Sequence, residues 1–265
     1  MSGMQFPNKG GQPQAAGLLP EEAASKPITS HFAELRKRLI RCFIAVAALF
    51  LVIMTCWSDT LVQLLSAPVK QRGIEFVYIG LAEALTAELG VSLIAAVVFA
   101  APVIFYNVWG FVKPALYENE KRYLLVFMGC SVLLFLLGTA FGYGVVFLSA
   151  ITFFVMTGEG IATPMLSINQ YIGFLFTFVL SFGIVFEIPV FNFVLCKAGV
   201  VTPDQLAAIR KYAVLAIFIV AAFLTPPDVV SQILMAVPML ALYEIGILVA
   251  RAACAGKTAA GVLGK

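Results

Sequence analysis

Charge is what this sequence has least of. Only 12% of its 265 residues are Asp, Glu, Lys or Arg, while 62% are hydrophobic. A soluble globular domain carries about 25% charged residues. No soluble fold of this size could hide so much apolar surface, so a bilayer is the expected solvent. Histidine is nearly missing too. His31 stands alone, which excludes HExxH and multi-histidine metal sites and leaves it an exposed residue at the membrane edge. The five cysteines, Cys42, Cys56, Cys130, Cys196 and Cys254, form no CxxC pair and read as small buried hydrophobes rather than a disulfide or metal set. There is no G-x-S-x-G elbow. Gly256-Lys257-Thr258 imitates the end of a phosphate loop, but Arg251 occupies the position of the required earlier glycine. The three aspartates, Asp59, Asp204 and Asp228, fall outside the span centres, against a paired-aspartate intramembrane protease. Neither enzyme chemistry nor a cofactor is expected. Any work would draw on the membrane potential or a partner. The net charge of +3 gives no reason to invoke nucleic acid.

What is present is a succession of charge-free runs. Six spans can be read: about Ile40 to Trp57; Leu89 to Val112; a long run between Arg122 and Glu159; a run from Ile168 carrying Glu187; a short one from Tyr212 to Leu224; and Val229 to Ala250, expected to be broken by Pro238 and Glu244. A perpendicular span needs about 20 residues. The third run is thus expected to be a single long tilted helix that protrudes past the bilayer or breaks near Thr157-Gly158, and the last two are short or interrupted. Gly138-x-x-x-Gly142 in the third run permits close approach of a neighbour. Fifteen of the 17 lysines and arginines fall on one face, leaving only Lys70 and Arg72 on the other. This fits six spans with both termini cytoplasmic. Residues 1–27 contain neither Arg nor an apolar core, so no cleavable leader is expected. The divisions expected are a disordered cytoplasmic tail over 1–29, a membrane domain over 30–251 and a second cytoplasmic tail over 252–265.

Three polar features stand out. Glu187 lies about 15 Å along a helix from Lys197, near the middle of the hydrocarbon. A charge there costs at least about 2.5–3.5 kcal/mol, so it must face protein, water or a partner. Pro189, two residues on, is expected to kink that helix. In the segment entering the first span, Ser30 is a candidate N-cap. Phe32, Leu35, Leu39 and Phe43 share one helical face, Glu34, Arg38 and Arg41 the opposite one, and Arg36 points to the apolar side. Glu34 and Arg38 are spaced for an intrahelical pair. The connection after the second span, Trp109 to Arg122, carries Glu118 and Glu120 among three cations, with aromatic residues at the membrane edge.

In order, His31-Phe-Ala-Glu-Leu-Arg-Lys-Arg-Leu39, Ser66-Ala-Pro68, Val108-Trp-Gly-Phe111, Pro114-Ala-Leu-Tyr117 with Glu120-Lys-Arg122, Phe186-Glu-Ile-Pro189, Leu224-Thr-Pro-Pro-Asp-Val229 and Ser231-Gln232 resemble the TatC family, the multi-spanning subunit of the twin-arginine protein translocase. The resemblance runs from Ser30 to Arg251. It implies an all-α membrane protein of the inner membrane, with six transmembrane helices in a concave, glove-like bundle. It implies a receptor for the paired arginines of signal peptides on folded cargo. Such a receptor recruits TatA-like and TatB-like single-span subunits for export driven by the proton-motive force, and forms homo-oligomers within the complex. By position, Glu34 and Glu120 would meet the two arginines, and Arg36, Phe111, Pro114, Leu116 and Tyr117 would shape that site. Glu187 would contact a partner's transmembrane helix, and Pro68 and Asp228 would be structural residues of the periplasmic face. The alternative is a proton-coupled secondary transporter of small solutes with Glu187 as the carrier site, although no repeat relates spans one to three to spans four to six.

Overall fold

The computed structural model describes residues 28–72, 74–112, 123–158, 165–225 and 227–262. Its elements are α1 (Ile28–Cys56), α2 (Ser58–Lys70), β1 (Glu75–Val77), α3 (Glu83–Val112), α4 (Tyr123–Phe141), a π-helical turn (Gly142–Phe147), α5 (Leu148–Gly158), β2 (Met165–Ser167), α6 (Ile168–Val185), α7 (Ile188–Lys197), α8 (Pro203–Ala208), α9 (Arg210–Leu224) and α10 (Val229–Val262). Among the described residues, five stretches are long and apolar enough to cross a membrane: Phe32–Cys56, Glu83–Phe111, Leu125–Gly158, Ile168–Lys197 and Val229–Ala252. With only 15 residues, α9 is the short fifth helix expected from the charge pattern. The sixth is not. α10 runs unbroken for 34 residues through Pro238 and Glu244. A proline removes one intrahelical bond without ending a helix that its neighbours hold, and Glu244 forms a two-point ion pair with Arg210 at the start of α9 (2.6 and 2.9 Å).

The third span runs continuously from Tyr123 through the π turn to Gly158, as a single long helix should. It packs on α6 through small residues. A Cβ at Gly138 would lie 2.5 Å from Phe182 O, and one at Gly142 2.9 Å from Phe182 Cβ. The approach is reciprocal, because a Cβ at Gly183 on α6 would lie 2.7 Å from the Phe135 ring. Close backbone approach stands in for the hydrophobic drive that lipid does not supply. The core so formed is aromatic: Phe147, Phe178 and Phe182 are fully buried, and Phe174 meets Phe178 edge-to-face at 4.5 Å.

The loops opposite the cation-rich face are tied together. β1 and β2 pair in parallel, Glu75 opposite Met165 and Val77 opposite Ser167. Glu83 Oε2 accepts from Ile79 N (3.2 Å) and Ser167 Oγ (3.1 Å). Pro68 lies inside α2, where it offers no N–H to Leu64 O. The adjacent Leu65 carbonyl takes two tyrosine hydroxyls, from Tyr171 at 2.7 Å and Tyr143 at 3.4 Å. Asp228 stands immediately before α10. Its Oδ1 accepts from Ser231 N at 2.7 Å, and its Oδ2 accepts from the Ser231 hydroxyl, so it caps that helix.

Candidate functional site

Two polar places are built around the end of α3 that lies on the cation-rich face. The first lies at the rim, where α1 crosses α3. α1 begins at Ile28, two residues ahead of Ser30, so Ser30 is within the helix rather than its cap. Phe32, Leu35, Leu39 and Phe43 do share one face, but that face points outward, at 66, 42, 67 and 74% exposure. The half-buried side of α1 carries Glu34 and Arg38 instead. In lipid the amphipathic rule inverts: apolar side chains meet the acyl chains, and charges turn toward other helices.

Arg38 and Glu34 form the expected pair. Arg38 Nη2 and Nε both donate to Glu34 Oε1, at 2.6 and 3.1 Å, and Arg38 Nη1 donates to Asn107 O on α3 at 3.3 Å. The guanidinium lies on Gly110, where any Cβ would fall on it. That glycine is needed for close approach rather than for backbone freedom. Phe111, the next residue, is half-buried. The structure thus brings Glu34, Arg38 and the Gly110–Phe111 turn together. Arg36 is not among them. It is exposed, and no hydrogen bond or ion pair joins it to a described residue. Pro114, Leu116, Tyr117 and Glu120 lie outside the described residues.

The second place is the Glu187 notch. The helix breaks there, since α6 ends at Val185, Phe186 and Glu187 form a turn, and α7 starts at Ile188 with Pro189 in its first turn. Proline favours that position because its missing N–H is not needed there. Glu187 is half-buried, and the Ser131 hydroxyl of α4 stands beside its carboxyl. Ser131 Oγ accepts from Trp109 Nε1 at 2.9 Å. Glu187 Oε1 is buried with no hydrogen-bond partner among the described residues. Trp109, which bonds Ser131, belongs to a buried apolar cluster with Phe127, Val190 and Val194, the last two on α7. Counting 1.5 Å per residue from each helix end, Trp109, Ser131 and Glu187 lie roughly 5, 12 and 15 Å inward, a short polar ladder leading from the rim into the hydrocarbon.

Charge spacing locates Glu34 and Glu187 but misses Arg38's reach across to Asn107 and the Trp109–Ser131 bond. Two signs of them are in the chain: Ser131 among the apolar residues of the third span, and a glycine wedged between Trp109 and Phe111. Among the described residues no group of three His, Cys, Asp or Glu could hold a metal. Pro68 and Asp228 lie far along the chain from both places, at the opposite helix ends.

Comparison with known proteins gives one answer. The family profile described as Sec-independent protein translocase protein (TatC) matches residues 30–238. A Sec-independent protein translocase protein TatC from Desulforapulum autotrophicum is 42% identical over 233 residues, 87% of this chain and 86% of its own length. One from Escherichia coli K12 is 38% identical over 231 residues, 86% of this chain and 89% of its own. A crystal structure of the twin-arginine translocase receptor TatC is similar with a TM-score of 0.77 and 39% identity, covering 84% of this chain and 99% of that one. A second, in the detergent DDM, gives 0.78.

Proposed function

The chain belongs to the TatC family of Sec-independent protein translocase proteins, and on that premise we propose that its cation-rich rim receives the Arg-Arg pair of a signal peptide, with Glu34 as one of the two acids. It is a multi-pass membrane protein and a translocase component. The observation that carries the proposal is the Glu34–Arg38 contact. Glu34 already holds a guanidinium at 2.6 Å in a half-buried setting beside Gly110 and Phe111. A guanidinium presents a planar fork that a carboxylate meets with two bonds, whereas a lysine offers a point charge. Glu120, between α3 and α4 in the sequence, would supply the second carboxylate, and Leu116 and Tyr117 the apolar wall. The surrounding positive charge would repel stray cations, so that two acids placed together select a paired-arginine ligand. Arg36, exposed on the same helix, would meet the peptide or the lipid surface rather than Glu34.

Glu187 is the place for a partner's transmembrane helix. A TatA-like or TatB-like single-span subunit offering a polar side chain would satisfy Oε1, and that is worth more in hydrocarbon than at a wet surface. A solute carrier would also need a buried acid, and uptake in liposomes lost with Glu187→Gln would favour that reading.

The rim assignment is tested by anisotropy of a labelled Arg-Arg peptide with the detergent-solubilised protein. Glu34→Ala should weaken binding about tenfold or more, and a Lys-Lys peptide should bind the wild type equally poorly. Unchanged affinity in a folded Glu34→Ala protein removes Glu34 from the site.

A further inference from the structure

Arg72 is one of only two cations on the sparse face, and its partners are unusual. It follows α2 and donates to Thr152 Oγ1 on α5, while Thr152 itself donates to Leu148 O at 2.7 Å. Among the described residues no carboxylate pairs with it. Beside the guanidinium, along one face of the third span, lies an open groove of roughly 480 Å³ lined by Gly144, Leu148, Ser149, Thr152, Phe153 and Met156, with Ser149 about one turn ahead of Thr152 on that face. The cleft follows the π turn, and a Cβ at Gly144 would meet nothing within 4 Å, so the cleft is open there.

Depth identifies what can fill it. Along the third span, Gly144 lies about 28 Å and Thr152 about 40 Å from Leu125. The hydrocarbon is about 30 Å thick and the full bilayer about 40–45 Å. In a tilted helix, Gly144 sits at the edge of the acyl region and Thr152 among the headgroups. Arg72 and Thr152 are at headgroup level, with Gly144 and Leu148 on the acyl side of them and Phe153 and Met156 on the outer side. A guanidinium with no acid partner among the described residues can meet a phosphate with two parallel bonds.

We propose that this cleft is a site for one membrane phospholipid of the leaflet opposite the cation-rich face. Arg72 holds the phosphate with the Ser149 and Thr152 hydroxyls beside it, and an acyl chain lies over Gly144 and Leu148. The lipid would tie the end of α2 to α5, across a junction that the Arg72–Thr152 bond spans.

The test uses the full chain, extracted in a phosphate-free detergent, delipidated and titrated with phosphatidylglycerol. Bound lipid is counted by native mass spectrometry. The wild type should retain one phospholipid that Arg72→Gln loses by about tenfold or more, with Arg72→Lys intermediate. Gly144→Leu fills the open end without touching the cation, and should lower retention as well. Retention of that lipid by Arg72→Gln at the wild-type level overturns the site, as does retention by Gly144→Leu if Arg72→Gln proves unfolded. Displacement of the lipid by millimolar inorganic phosphate would make this a soluble-anion site and overturn the assignment to lipid.

Discussion

Glu34 meets a guanidinium within its own helix: Arg38 Nη2 donates to its Oε1 at 2.6 Å. The same side chain reaches Asn107 O on α3, so one arginine both neutralises the acid and fastens α1 to its neighbour. An arginine arriving from a peptide would share Glu34 with Arg38 or displace it. The α3 turn from Asn107 to Phe111 lies under both events, because Trp109 in that turn also bonds Ser131 beside Glu187.

The contact at Gly110 should be sensitive to bulk. Gly110→Val places carbon where the Arg38 guanidinium now lies, displacing it from Asn107 O, and should destabilise the protein by about 0.5–1.5 kcal/mol, read as thermal unfolding in detergent. Adding Arg38→Met removes the obstructing head group. The double variant should recover part of that loss, and the non-additivity measures the contact. Strict additivity would mean that the two residues do not touch.

Glu187 should separate stability from assembly. Its Oε1 is buried with no partner among the described residues, a cost that an apolar residue of similar size would remove. Glu187→Leu should leave thermal stability unchanged or raise it by about 1–2 kcal/mol, while crosslinks from this region to a single-span partner are lost. A variant that unfolds early while keeping its crosslinks would mark the acid as structural.

The helix contact at Gly138 offers a paired comparison. Gly138→Val drives carbon against the Phe182 carbonyl, a backbone atom with little freedom to yield, and should cost about 1–3 kcal/mol. At Gly129, on the same helix, a Cβ meets nothing within 4 Å, so Gly129→Ala should stabilise by up to about 1 kcal/mol. Opposite signs in the same melting assay are the expected result.

Asp228 caps α10 through Ser231. Asp228→Ala should cost about 0.5–2 kcal/mol, and Asp228→Asn much less, because an amide oxygen can still accept from Ser231 N. Equal losses in the two variants would point to the charge rather than the cap.

Much of this architecture was legible in the residues. Charge-free runs mark the spans because hydrocarbon excludes charge whatever the fold. The one-sided cations sort the loops, and the β1–β2 pairing places residues 75–77 and 165–167 together as that sorting requires. Pro189 foretold the break after Val185, and Gly138 with Gly142 the close approach of α6. The same rules misjudged Pro238, because a proline's effect depends on the helices around it. They were also silent on which way α1 faces, since stripe and solvent are matched by different rules in lipid and in water.

The sequence by itself determined that this chain lives in a bilayer, where its helices run, which ends share a face and which family it resembles, because each of these follows from the transfer cost of single residues or from their order. Only the tertiary structure decided that Arg38 reaches Asn107, that Trp109 and Ser131 stand before Glu187, and that Arg72 meets Thr152. Those contacts join residues 69, 22 and 80 positions apart, and no local periodicity encodes a hydrogen bond made between helices.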